Sequence, residues 1–259
     1  MSARGDARDP GSFDLPAQGP VASPADARAV LCLHGLTATP YEVRPVAEAL
    51  AARGFRSLGP LLPGHGTRPE DLARVTWQAW LAAARAAHAE LAARHARIFV
   101  VGTSMGGLLA LALASELPIA GLATIGTPLE LRVPPDPLLA LVQRLRPFLP
   151  KRGGPDIRDP AARARHPTYS VMPVASVRQL VELQRFVKQR LSRVTAPILV
   201  AHGAHDRTAD PADQARLLSG VASQHKERLL LGDSGHIATV DFGGPELARR
   251  IAEFFDAAG

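Results

Sequence analysis

Short unbroken apolar runs alternate along this chain with longer stretches whose apolar residues recur at helical spacing. The runs are AVLCLHG (29–35), FRSLGP (55–60), IFVV (98–101), GLATIG (121–126), APILVAHG (196–203) and ERLLLG (227–232). Unbroken apolar runs bounded by glycine predict strands buried on both faces. Between them, PYEVRPVAEALAARG (40–54) has proline at its start and glycine past its end, the punctuation of a helix. TWQAWLAAARAAHAELAARH (76–95), an Ala/Leu-rich run from Met105, and the C-terminal PELARRIAEFFDAAG also read as helices. Strands alternating with helices predict a mostly parallel sheet covered on both faces, an α/β fold.

The rhythm breaks between Thr127 and Thr195, where no strand signal stands out. Two helical stretches, PDPLLALVQRLRPFLP and PVASVRQLVELQRFVKQRLSRV, flank a proline- and arginine-rich linker. We read 127–195 as a helical cap inserted over the carboxyl edge of the sheet, with 29–126 and 196–259 forming the core. Residues 1–28 are rich in proline, glycine and charge and lack an apolar leader segment, which predicts a poorly ordered arm and a cytoplasmic protein. Within the arm, Phe13 and Leu15 could lie along the body.

Composition narrows the function classes. At 259 residues and 46% hydrophobic content the chain can bury a full core. No apolar run reaches the roughly 18–20 residues that span a bilayer, so no stable membrane anchor is expected. The net charge of +6 raises nucleic acid as a partner. The arginines, however, are scattered among alanines on helical faces rather than clustered with aromatics, so none is expected. One cysteine, Cys32, precludes an intramolecular disulfide, and its apolar strand marks a buried structural thiol.

The chemistry centres on GTSMGG, 102–107, set directly between a strand and a helix. Gly102-Thr103-Ser104-Met105-Gly106 fits G-x-S-x-G. In that context the serine sits on a tight strand-to-helix turn that lifts its hydroxyl above the sheet. The flanking glycines remove side chains that would collide there. Such a nucleophile needs a base, a group that orients the base, and donors for an oxyanion, in the order Ser, Asp, His on this kind of scaffold. His236, in the loop of GDSGHIATVDF between a strand and the last helix, is the base. Asp206, a short turn beyond the strand 196–203, is the acid. Asp210 precedes a helix and reads as its N-cap, and Asp233 stands too near His236 to orient it.

The oxyanion donors should be the backbone N–H groups of Met105 and of Leu36, which follows Gly35 in the loop LHGLTATP. His34 and His65 read as organisers of neighbouring loops. Gly35, Met172, Ile237 and Val240 are the candidate substrate contacts. The apolar side chains among them favour an acyl chain. No metal or organic cofactor is required.

With HGL, GTSMGG, HGAHD and SGHIATVDF in this order, the chain resembles the α/β-hydrolase superfamily. It is most similar to the small bacterial carboxylesterases and monoacylglycerol lipases. The resemblance runs from about Ala29 to the C-terminus and is weakest in the cap. It implies a serine esterase with a small helical cap over the acyl pocket, and an acyl ester or monoacylglycerol as the small-molecule substrate. Ser104, Asp206 and His236 would be the triad and Leu36 and Met105 the oxyanion donors. Thioester or lactone hydrolysis and acyl transfer are the alternatives on the same residues, because one acyl-enzyme serves them all.

Overall fold

The computed structural model describes residues 11–18, 27–131, 133–151 and 153–258. Its strands are β1 (Phe13–Leu15), β2 (Arg28–Leu33), β3 (Phe55–Gly59), β4 (Arg97–Thr103), β5 (Gly121–Ile125), β6 (Phe148–Pro150), β7 (Val171–Pro173), β8 (Ile198–Gly203) and β9 (Lys226–Leu231). The helices are α1 (Arg44–Ala51), α2 (Pro69–Leu72), α3 (Trp77–Ala92), α4 (Met105–Ala114), α5 (Asp136–Leu145), α6 (Pro160–Arg165), α7 (Val174–Lys188), α8 (Asp213–Gly220) and α9 (Gly244–Ala258). Among the described residues, no helix is long and apolar enough to cross a membrane.

A seven-stranded sheet runs in the order β1-β3-β2-β4-β5-β8-β9, parallel throughout except for β1. The central strands are buried on both faces, and their side chains divide by the two-residue period of a strand. In β2, Ala29, Leu31 and Leu33 join one core cluster while Val30 and Cys32 join the other. In β4, Ile98 and Val100 face the first cluster and Phe99 and Val101 the second. Helices α3, α4 and α8 close the first face; α1 and α9 close the second. The Cys32 thiol is fully enclosed, and burial pushes its pKa far above the ordinary thiol value.

The N-terminal segment is more ordered, where it is described, than its composition predicts, and Phe13 and Leu15 do lie along the body. Phe13–Leu15 is an antiparallel edge strand on β3, not a loose arm, and the Phe13 ring covers Gly59. Arg56 pairs with Asp14 across this edge at 2.5 Å. Residues 1–10 and 19–26 of the predicted arm lie outside the described residues.

The segment between β5 and β8 also differs from a purely helical insertion. β6 and β7 form a small antiparallel pair, with Leu149 opposite Met172. Three-residue strands that contain proline carry no periodic signal, and this pairing exists only once α6 and its linker have folded back. Helix α7 belongs with the core as much as with the cap. Its Leu180, Leu183 and Val187 pack in the same cluster as α4. α4 itself is buried at all ten positions, so only an apolar run could form it.

The turn between β4 and α4 depends on missing side chains. A Cβ on Gly102 would overlap the Gly106 carbonyl, and one on Gly106 would overlap Leu33 O. Both obstacles are backbone, which cannot swing aside. Gly106→Ala should therefore lower the unfolding free energy by on the order of 3 kcal/mol in urea titrations. Gly232→Ala, where a Cβ meets no atom within 4 Å, should stay within about 0.5 kcal/mol of the parent. Equal losses in the two variants would remove the crowding explanation.

Candidate active site

Three loops at the carboxyl ends of β4, β8 and β9 bring Ser104, Asp206 and His236 together. Ser104 follows β4 at φ 54°, ψ −117°, a conformation that non-glycine residues rarely adopt. Its N–H donates to Ile125 O at 2.8 Å on the neighbouring strand, which ties the turn to the sheet. Ser104 Oγ lies 2.9 Å from His236 Nε2, and His236 Nδ1 lies 2.8 Å from Asp206 Oδ2. With Nδ1–H donating to the carboxylate, Nε2 presents a lone pair to the serine hydroxyl. The chain of two bonds has the geometry in which a hydroxyl, an imidazole and a carboxylate can act as nucleophile, base and orienting acid.

The acid is held from every side. Asp206 Oδ1 accepts from the N–H groups of Thr208 and Ala209, both at 2.8 Å. Its Oδ2 meets His202 Nε2 at 3.0 Å as well as His236. Burial works to raise its pKa, but the His236 charge, the nearby His202 ring and the hydrogen bonds from His236 and Ala209 hold the carboxyl well below the usual range. For His236, burial works to lower the pKa. The Asp206 charge and hydrogen bond outweigh it, so the imidazole sits above its ordinary 6.5.

Of the two predicted oxyanion donors, Met105 directly follows the serine and Leu36 lines the same cavity. Met105 is the first residue of α4, so its N–H has no acceptor within the helix. Leu36 lies in the loop after β2, where Gly35 N–H donates to the buried Glu42 carboxylate at 2.9 Å. His34 organises that loop as its sequence suggested. Its Nε2 accepts from Leu62 N–H at 3.1 Å, so Nδ1 carries the proton toward Gly35 O. Burial depresses its pKa, and that of the adjoining His65 to about 3. Both rings are therefore neutral loop supports.

Ser104 and His236 open onto a cavity of about 390 Å³ between the sheet edge and the cap. Gly35, Leu36, Met172 and Ile237 line it, together with Leu131, Val177 and Leu180. Val240, the remaining predicted contact, does not. The short turn of residues 238–240 directs it to a small cluster with Ile157, Ala162 and Ile237 and to a separate surface groove, away from the cavity.

The chain matches the Hydrolase_4 family, described as serine aminopeptidase, S33, over residues 24–241. The chain belongs to this family. This hydrolase is 35% identical over 230 residues to a thermostable monoacylglycerol lipase of Bacillus sp. (strain H-257), a match covering 87% of this chain and 89% of that one. A carboxylesterase of Bacillus subtilis (strain 168) is 24% identical over 233 residues, 88% of this chain and 92% of its own. Among solved structures, a metagenome-derived lipolytic enzyme of the LipS and LipT pair superposes with a TM-score of 0.86 at 29% identity. That match covers 95% of this chain and 97% of the other. The fold is the α/β-hydrolase fold.

Several residues that hold the site of this hydrolase carried no sequence signal. His202 reads as the end of a strand, yet it is buried against Asp206. Glu42, which accepts from Gly35 N–H, also accepts from His166 Nε2 of the cap at 3.1 Å, and both side chains are almost fully buried. Burial would raise the Glu42 pKa, but His166 and the Gly35 N–H bring it below the ordinary value. Asp241 lies within SGHIATVDF, where no pattern in the sequence marks its role. It accepts from Gly235 N–H beside His236 and from Arg158 and Asp159 N–H in the cap, at 2.8–2.9 Å.

The charge balance at His236 is directly measurable. In an NMR titration the imidazole should take up its proton above pH 6.5. In Asp206→Asn it should do so below 6.5, because burial then outweighs the remaining attractions. An unchanged midpoint in that variant would mean that the carboxylate does not hold the proton there.

Proposed function

We propose that this protein hydrolyses carboxylic esters of short- to medium-chain acids, or monoacylglycerols, through an acyl-enzyme on Ser104. Membership of the serine hydrolase family and the names of its two Bacillus relatives support a carboxylic ester hydrolase. The observation that carries the finer reading is the Ser104–His236–Asp206 chain, with bonds of 2.9 and 2.8 Å, at the apex of a strained turn facing an apolar cavity.

In this reading Ser104 Oγ attacks the ester carbonyl while His236 Nε2 takes the hydroxyl proton. The electron pair of the C=O moves onto oxygen, and the N–H groups of Leu36 and Met105 bind that oxyanion. Collapse expels the alcohol, which leaves with the proton returned by His236. Water then repeats the sequence: it gives its proton to His236, attacks the acyl carbon and frees the acid, and the proton returns to Ser104 Oγ. Asp206 keeps Nδ1 protonated and stabilises the imidazolium without taking the proton itself. Met172, Val177, Leu180 and Ile237 offer the acyl chain an apolar wall, and the cavity volume suits a chain of modest length.

Steady-state hydrolysis of p-nitrophenyl esters from acetate to palmitate tests this reading. The parent should show a maximum among the short and medium chains. Ser104→Ala should lose about 10⁶ in kcat, the scale seen when a triad nucleophile is removed, and Asp206→Asn about 10⁴. Turnover that survives in Ser104→Ala would refute the acyl-enzyme. A chain-length maximum at palmitate would refute the pocket assignment.

A further inference from the structure

Lys151 of the cap lies mostly buried in the wall of the active-site cavity. Its ammonium donates to two neutral hydroxyls, Thr37 Oγ1 and Thr168 Oγ1, the latter at 2.8 Å. The Thr168 hydroxyl in turn donates to Thr37 O at 3.1 Å. An ammonium has three N–H donors, so one remains for whatever enters the cavity. Among the described residues no carboxylate pairs with it directly.

The nearby acids are already engaged. Glu42 is held by Gly35 N–H and His166. Asp156 accepts from the Arg207 N–H and from its guanidinium. The cavity is thus apolar along Met172, Val177 and Leu180 and carries a cation without an ion-pair partner beside the oxyanion loop. Burial lowers the ammonium's pKa to about 8, against a partial opposing pull from Glu42, which leaves it charged at neutral pH.

From this arrangement, and on the ester-hydrolase reading above, we propose that Lys151 forms a subsite for an anionic group, a phosphate or carboxylate carried on the ester near its scissile bond. A desolvated lysine costs free energy unless a counter-charge meets it. A bound anion supplies that charge through a charge-assisted hydrogen bond in a site shielded from water. Two threonine hydroxyls need no cation to order them, so a purely structural clamp at this point does not call for lysine.

The test compares 1-decanoylglycerol with 1-decanoylglycerol 3-phosphate, which differ only in the anionic group. Lys151→Gln should lower the ratio of kcat/KM for the phosphate ester over the neutral ester by about tenfold or more, the scale of a hydrogen bond between charged groups. Lys151→Arg should restore most of that ratio. Loss of a mere clamp on Thr37 would depress both esters alike and leave the ratio unchanged, which would overturn the proposal. A second readout needs no turnover. Calorimetric binding of decyl phosphate to Ser104→Ala should weaken about tenfold when Lys151→Gln is added, and equal affinity would overturn the proposal. Lys151-dependent binding of decyl phosphate with no hydrolysis of either ester would instead count against the ester-hydrolase reading and leave the anion subsite standing.

Discussion

A β-strand cannot hand over to a helix in one residue without straining the backbone, and Ser104 carries that strain. A non-glycine residue in such a conformation costs on the order of 1–3 kcal/mol. It persists only where the surroundings leave no alternative. Here they are the Ser104 N–H bond to Ile125 O, the fully buried α4 behind it, and two glycines whose absent side chains let helix and strand touch. Much of the sheet's centre can be seen as the support for this one turn, because β2, β4 and β5 all contribute backbone to it.

The site is also a problem in keeping charge inside a protein. Asp206 and Glu42 are both buried carboxylates, and each is surrounded by donors. Two backbone N–H groups and two imidazoles converge on the first; one backbone N–H and one imidazole converge on the second. Such packing lets an ionised group survive without water. It also fixes direction: Asp206 orients the His236 ring, and Glu42 orients Gly35, the residue before the Leu36 N–H.

What the sequence made legible was local. The strand-to-helix serine turn, the histidine between β9 and α9, and the acid after β8 each sit within a few residues of the feature that betrays them. The sheet was readable for the same reason, since its central strands are unbroken apolar runs. The hairpin of β6 and β7, the Glu42–His166 pair and the Lys151–Thr37 contact join residues far apart in the chain and have no periodicity to announce them. Val240 shows the opposite failure. It sits four residues from His236, yet a short helical turn swings its side chain away from the cavity. His202 reads as the last polar residue of a strand, and only the sheet order reveals that its ring meets Asp206.

The cap in this protein is not a lid laid over a finished site. Asp241 fastens it to the histidine loop, His166 to the oxyanion loop through Glu42, and Tyr169 N–H to Thr37 O at 3.2 Å. Exchanging the whole insertion for that of a relative would therefore disturb the Ser104–His236–Asp206 geometry along with the cavity lining. The outer helix α5 is tied instead to α7, through Arg185–Asp136 at 2.7 Å and Arg178–Gln143 at 2.9 Å, and turns Leu138, Leu141 and Leu145 outward, away from these stitches.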